Sequence, residues 1–129
     1  MEEKNFIFVI QKHHASHLHY DFRLEKDGVL KSWAIPKEPP KEIGIRRLAI
    51  EVDDHSLDYA NFEGEIAEGL YGAGLVEIWD KGYYIPLKFE STEIIFELKG
   101  EKLKGTYCLI KLKPKLPQDK NWLFFRKKQ

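Results

Sequence analysis

A strictly alternating segment that ends in a turn signal constrains this chain more than any other feature. Leu18, Tyr20, Phe22 and Leu24 are apolar and alternate with His19, Asp21, Arg23 and Glu25. Side chains in a strand point to opposite faces with a period of two, so the apolar set enters a core and the polar set shares the other, solvent-facing surface. Asp27-Gly28 follows directly. That pair suits a tight hairpin turn in which both central residues take positive φ. Val29 to Ile35 then returns as the partner strand, and the fold begins as an antiparallel hairpin.

The polar face of this hairpin carries the chemistry. Four of the five histidines lie between His13 and His19, beside Asp21 and Arg23. The histidines form a broken, internal run, unlike a terminal purification tag. An exposed strand bearing His, Asp and Arg is by itself an ordinary solvated surface. The density of imidazoles beside a carboxylate and a guanidinium points further, to a divalent cation and a phosphate held on one rigid element.

The rest of the chain reads as short strands. Phe6 to Ile10 is an apolar run of strand length. Pro36, Pro39 and Pro40 break the sheet after Ile35. Leu48, Ile50 and Val52 alternate with Arg47, Ala49 and Glu51, and this parity turns Arg47 away from Leu48 and Ile50. Asp58 to Phe62 reads as one helical turn. Gly64, Gly69, Gly72 and Gly74 mark an ordered loop of unusual backbone angles that lacks the Lys-Ser/Thr ending of a phosphate loop. Leu75 to Trp79, Ile94 to Leu98, Thr106 to Leu112 and Trp122 to Arg126 complete the series. Helical periodicity is nearly absent. The expectation is an all-β, mainly antiparallel domain spanning residues 1–129, a small barrel or sandwich with Trp33, Trp79 and Trp122 in its core.

Composition sets limits. The 129 residues suffice to bury a core without disulfides. Cys108 is the only cysteine, excludes an internal disulfide, and fits a buried apolar role in a reducing, cytoplasmic setting. Net charge is zero but uneven: Leu48 to Asp80 contains no Lys or Arg, whereas Lys111, Lys113, Lys115, Lys120, Arg126, Lys127 and Lys128 make the end of the chain basic. Such asymmetry suits a face that meets nucleic acid as well as a solvated surface with a basic tail. No apolar run has membrane-spanning length, and the opening Met1-Glu2-Glu3-Lys4 is unlike a signal peptide.

Several longer stretches then carry a resemblance. Gln11-Lys12-His13-His14-Ala15, Leu18-His19-Tyr20-Asp21-Phe22-Arg23-Leu24 and Asp27-Gly28-Val29-Leu30-Lys31-Ser32-Trp33-Ala34-Ile35-Pro36-Lys37 resemble the 3′-phosphoesterase domain of bacterial DNA ligase D. So do Val52-Asp53-Asp54-His55-Ser56-Leu57-Asp58-Tyr59-Ala60, Phe62-Glu63-Gly64, Tyr71-Gly72-Ala73-Gly74 and Trp79-Asp80. The resemblance implies a small β-barrel with its active site on the outer surface. It implies a manganese-dependent enzyme, with other divalent transition metals as alternatives, that removes a 3′-terminal ribonucleoside and then the 3′-phosphate to leave a 3′-hydroxyl for repair. Matched residue by residue, it makes His13, His19 and Asp21 metal ligands and His55, Arg23 and Tyr59 catalytic groups. Gln11, Lys37 and Arg47 become phosphate- or substrate-binding groups. Two departures stand out: Ser16 and His17 replace residues that are often basic, and the bacterial domain has a longer N-terminal lead-in. The expected setting is a free-standing, monomeric, intracellular relative acting on DNA or RNA–DNA primer–template ends in end joining, with a separate ligase or polymerase as partner and no membrane.

Two further readings use the same residues. His19, Asp21 and His55 mimic the two-histidine, one-carboxylate triad of non-haem iron oxygenases, which leaves His13 and Arg23 without a role. A barrel that binds nucleic-acid ends without cutting them is the non-enzymatic reading. In the phosphoesterase reading Arg23 grips phosphate oxygens bidentately, and His55 serves as a phosphate contact or as a general acid.

Overall fold

A computed structural model describes residues 5–70 and 72–128. The opening Met1-Glu2-Glu3-Lys4 and Tyr71 of the Tyr71-Gly72-Ala73-Gly74 motif lie outside the described residues. The chain forms one nine-stranded antiparallel sheet. In chain order the strands are β1 Phe6–His14, β2 Leu18–Lys26, β3 Val29–Ile35, β4 Arg46–Ser56, β5 Gly64–Ile66, β6 Gly74–Phe89, β7 Glu93–Lys99, β8 Lys104–Lys111 and β9 Asn121–Arg126. They run side by side as β1-β2-β3-β4-β9-β8-β7-β6, and β1 pairs with β6 to close an eight-stranded barrel; β5 adds outside, against the start of β6. A single 3₁₀ turn, Leu57–Asn61, is the helical element among the described residues. None of their helices is long and apolar enough to cross a membrane.

The hairpin has the expected bounds and turn. Asp27 takes φ 52° and Gly28 φ 81°, so Lys26 pairs with Val29 and Arg23 falls opposite Ser32. Phe8, Ile10, Tyr20, Phe22, Leu24, Trp33 and Ile35 point inward and meet Phe96, Tyr107, Leu109, Trp122 and Phe124 from the far wall. Phe22 stacks on Phe124 with ring centroids 4.8 Å apart. Trp33 and Trp122 are buried in this core and Trp79 packs against it half-buried. Cys108 is buried, as its setting suggested.

The opposite face of the first three strands is not the open, wet surface that alternation alone predicts. Gln11, Asp21, Arg23, Glu25 and Ser32 are all buried. A second, smaller apolar cluster explains this. Val9 and Leu30 on the outer face meet Ala60, Leu57 and Tyr59 of the 3₁₀ turn, which roofs the sheet from outside. Strand β4 also runs longer than the Leu48–Val52 core of its pattern. The β3–β4 register shifts between Leu30 and Ser32, where Leu30 faces His55 and Ser32 faces Val52. The extra β4 residues form a bulge, a device that re-aims side chains. Here it brings His55 over the polar face of β2.

Candidate metal and phosphate site

Cross-strand pairing assembles the first part of the site. His13 near the end of β1 lies directly opposite His19 near the start of β2, with the rings 4.8 Å apart. Asp21 follows on the same face. One ligand atom from each of His13, His19 and Asp21 lies within 4.8 Å of the others. Hydrogen bonds orient both imidazoles. His13 Nε2 lies 2.8 Å from the Gly72 carbonyl and 3.2 Å from that of Ala73. Carbonyl oxygens only accept, so Nε2 carries the hydrogen and Nδ1 keeps its lone pair, 3.7 Å from Asp21 Oδ2. His19 has the other arrangement: Nδ1 donates to the His17 carbonyl at 3.1 Å, and Nε2 lies 3.4 Å from Asp21 Oδ2.

This donor set fits a divalent cation. Two imidazole lone pairs and one carboxylate converge, and each ring's other nitrogen is fixed by a backbone acceptor, the usual support for a metal-binding histidine. Without an ion, the three groups hold one another. The hydrogen bond to Asp21 raises the His19 pKa from its ordinary value against the effect of burial. Burial alone would raise the Asp21 carboxyl, but its bond to His19 and the charge of Arg23 hold it below the ordinary value.

Arg23 forms the second part. Its Nε donates to Gln11 Oε1 at 2.7 Å, and its Nη1 donates to Ser32 Oγ at 2.8 Å and to His55 Nδ1 at 3.0 Å. Nη2 lies 3.6 Å from Asp21 Oδ2. Only Nη2 therefore retains free donor capacity, and a two-pronged grip on a phosphate is not available in this arrangement. His55 Nδ1 lies between Arg23 Nη1 at 3.0 Å, which can only donate, and the Asp53 carbonyl at 3.2 Å, which can only accept; the shorter contact, to a permanently charged donor, favours Nδ1 as acceptor with the hydrogen on Nε2. Burial and the nearby Arg23 charge lower the His55 pKa. At neutral pH the ring is uncharged, which suits a hydrogen-bond donor to a phosphate oxygen better than a cationic general acid.

Tyr59 covers this pair. Arg23 Cζ lies 4.9 Å from the Tyr59 ring centroid, and the His55 ring lies 4.8 Å from it. Burial raises the phenol pKa, so the hydroxyl stays protonated and can donate. Gln11 does not face solvent at all. Its Nε2 donates to the carbonyls of Tyr59 at 2.7 Å and Phe62 at 3.2 Å while its Oε1 holds Arg23. It ties the roof to the arginine and has no surface left for a substrate. Ser32, which alternation did not single out, is a further member, and the hairpin register that sets it opposite Arg23 was its available signal.

His13, His19, Asp21, His55 and Tyr59 line one cleft of about 560 Å³, together with Ala34, Val52, Asp53, Asp54 and Gly72, a size typical of small-molecule sites. Lys37 and Arg47 are not in it. They line a separate shallow groove with Pro36, Arg46 and Leu48, and Arg47 Nε donates to the Glu38 carbonyl at 2.7 Å. The strand parity that turns Arg47 from Leu48 also puts it on the side of Ala49, which faces the core. His14 pairs with Glu77 at 2.9 Å, outside the cluster. Among the described residues His13, and not His55, completes the His19–Asp21 set.

A closed antiparallel barrel with an imidazole–carboxylate cluster and His55 in one outer cleft, and a buried arginine bonded to that His55, defines a class of site suited to a cation and a phosphate. Comparison with known proteins agrees. The sequence profile of the DNA ligase D 3′-phosphoesterase domain matches residues 11–111. The multifunctional non-homologous end joining protein LigD of Pseudomonas aeruginosa is 53% identical over 109 residues, covering 81% of this chain and 13% of that protein. The protein of the same name in Mycobacterium bovis is 53% identical over 108 residues, covering 81% of this chain and 14% of that one. The multifunctional non-homologous end joining protein LigD of Mycolicibacterium smegmatis is 47% identical over 132 aligned residues, covering 94% and 17%. This chain belongs to the DNA ligase D 3′-phosphoesterase domain family. It spans less than a fifth of the length of these relatives.

Proposed function

We propose that this protein is a manganese-dependent phosphoesterase that cleans the 3′ ends of DNA during end joining in the cell. It removes a 3′-terminal ribonucleoside by phosphodiester cleavage and then the remaining 3′-phosphate, leaving a 3′-hydroxyl. The observation that carries this reading is the meeting of His13, His19 and Asp21 with His55 and Tyr59 in one cleft, with Arg23 buried behind it against His55 and Asp21. His13 Nδ1, His19 Nε2 and the Asp21 carboxylate hold the ion. When bound, it would supply Lewis-acid charge to a phosphoryl oxygen and acidify water for attack.

The chain's own residues supply the rest. Arg23 offers positive charge and its Nη2 hydrogens to a phosphate oxygen. His55 donates from Nε2, and Tyr59 donates its hydroxyl while shielding the pair from bulk water. Gln11 acts by positioning Arg23 and the roof. Lys37 and Arg47, on a groove outside the cleft, meet the nucleic acid further along its backbone. A separate ligase or polymerase then uses the 3′-hydroxyl, and the protein works as a monomer. The basic end of the chain supports backbone contact without sequence reading, since no helix suited to a groove is present among the described residues.

The test is a 5′-labelled primer ending in a single ribonucleotide or in a 3′-phosphate, annealed to a template. With Mn²⁺ both substrates are expected to converge on the 3′-hydroxyl product and stop there. With chelator they are expected to remain intact. A ladder of shorter DNA products, or equal turnover without metal, would overturn the reading.

A further inference from the structure

The glycine-rich segment between β5 and β6 supplies the two carbonyls that meet His13 Nε2. Successive turns, with Leu70 N–H donating to Ala67 O and Ala73 N–H to Leu70 O, both at 3.2 Å, fold it into a shelf. The shelf is anchored at both ends. Ile66 pairs with Gly74, and a Cβ added at Gly74 would meet the His14 carbonyl oxygen at 2.2 Å, so the two backbones lie too close for any side chain. Gly72 sits on the shelf at φ +77°, and a Cβ there would lie 3.8 Å from His13 Cε1. Its carbonyl and that of Ala73 both face His13 Nε2.

We propose that this shelf is the device that selects the ligand atom of His13: the Gly72 and Ala73 carbonyls hold the hydrogen on Nε2 and thereby present Nδ1 to the metal. Gly72 is a positioning residue. An imidazole offers either nitrogen to a cation, and the choice follows from the hydrogen bond made by the other. His13 is 7% exposed, and both carbonyls lie within hydrogen-bond distance of its Nε2. A side chain at Gly72 would have to hold a left-handed backbone that residues with a Cβ resist, at the residue whose own carbonyl bonds His13 Nε2. The shelf then moves and both acceptors move with it. This inference rests on the metal reading above for its purpose, though the state of His13 can be measured without any metal.

The experiment uses ¹⁵N-labelled full chain, stripped of metal, at mildly alkaline pH. The wild type is expected to show a slowly exchanging imidazole N–H on Nε2 of His13. Gly72→Ala is expected to lose that resonance to exchange and to bind Mn²⁺ about tenfold more weakly in a calorimetric titration. Gly69→Ala is the control. It lies in the same segment at φ +86° with nothing within 4 Å of its added Cβ, so it carries similar backbone strain and is expected to change neither readout. Finding the hydrogen on Nδ1 in the wild type would overturn the proposal even if Gly72→Ala failed to fold. So would a Gly72→Ala protein that keeps both the slow resonance and wild-type affinity. A wild type that binds no divalent ion would instead sink the metal reading, while the N–H measurement would still decide what the shelf does.

Discussion

Replacing Gln11 by leucine separates a residue that touches substrate from one that holds the site together. Gln11 is fully buried and makes three hydrogen bonds: to the Tyr59 carbonyl, to the Phe62 carbonyl and from Arg23 Nε. Leucine is close in volume, so little cavity forms. The loss is polar. Arg23 Nε becomes a buried charged donor without a partner, and two roof carbonyls lose theirs. An orphaned buried group costs roughly 1–3 kcal/mol, more when it is charged. The carbonyls recover part of this through water as the roof loosens, which gives a net destabilisation of about 2–4 kcal/mol. For a chain of this size that lowers Tm by roughly 6–20 °C. Turnover should fall as well, because Tyr59 and His55 lose their placement. Gln11→Glu retains an acceptor for Arg23 but sets a carboxylate against the Tyr59 and Phe62 carbonyls, so it should also destabilise. Urea unfolding of both variants, alongside kcat and KM, provides the assay. A Gln11→Leu protein within about 0.5 kcal/mol of wild type but with raised KM would refute the reasoning and return Gln11 to the substrate surface.

Other perturbations follow from the same geometry. Arg23→Lys keeps the charge but cannot reach Gln11, Ser32 and His55 together; it should destabilise by about 2–4 kcal/mol and abolish turnover, as seen by denaturation and primer assays. His19→Ala should lose turnover and Mn²⁺ affinity while the fold persists. His17→Ala, which spares the carbonyl bonded to His19, should change stability by less than about 0.5 kcal/mol and leave activity intact. In metal-free protein the His19–Asp21 pair gives a defined pH window. The raised His19 pKa makes its contribution complete below the ordinary 6.5 and lost as pH rises through the folded value. The lowered Asp21 pKa makes its contribution present above the ordinary 3.8 and lost as pH falls through the folded value. The melting gap between wild type and Asp21→Asn in chelator should therefore be widest between these ordinary values and shrink as pH rises through the raised His19 value; a gap that widens as pH rises beyond 6.5 would contradict the pairing.

Much of the site was legible because strand arithmetic is reliable where a turn fixes register. Asp27-Gly28 sets Arg23 opposite Ser32 without further information, and period two puts His19, Asp21 and Arg23 on one face. Burial of that face was not legible, since it depends on the Leu57–Asn61 turn folding back over Val9 and Leu30, a non-local contact that periodicity cannot carry. Strand β1 was read only to Ile10. Its polar end, Gln11 to His14, is held by pairing with β2 and β6 and not by apolar pattern. The second half of β6 escaped notice because Pro86 and the exposed Tyr83, Ile85 and Leu87 hide the alternation. The bonding of Gln11 and Arg23 was beyond the sequence altogether: the motif marks both as important, but only their partners show that one holds the other.

The proposed function requires one divalent ion held by His13 Nδ1, His19 Nε2 and the Asp21 carboxylate. Crystals soaked in MnCl₂, with anomalous diffraction collected to locate manganese, test this most directly. The expected result is a single strong peak within bonding distance of those three atoms, lost in His19→Ala crystals. A peak at the exposed His14–Glu77 pair instead, or bonded to His13 through Nε2 with the Gly72 carbonyl displaced, would contradict it.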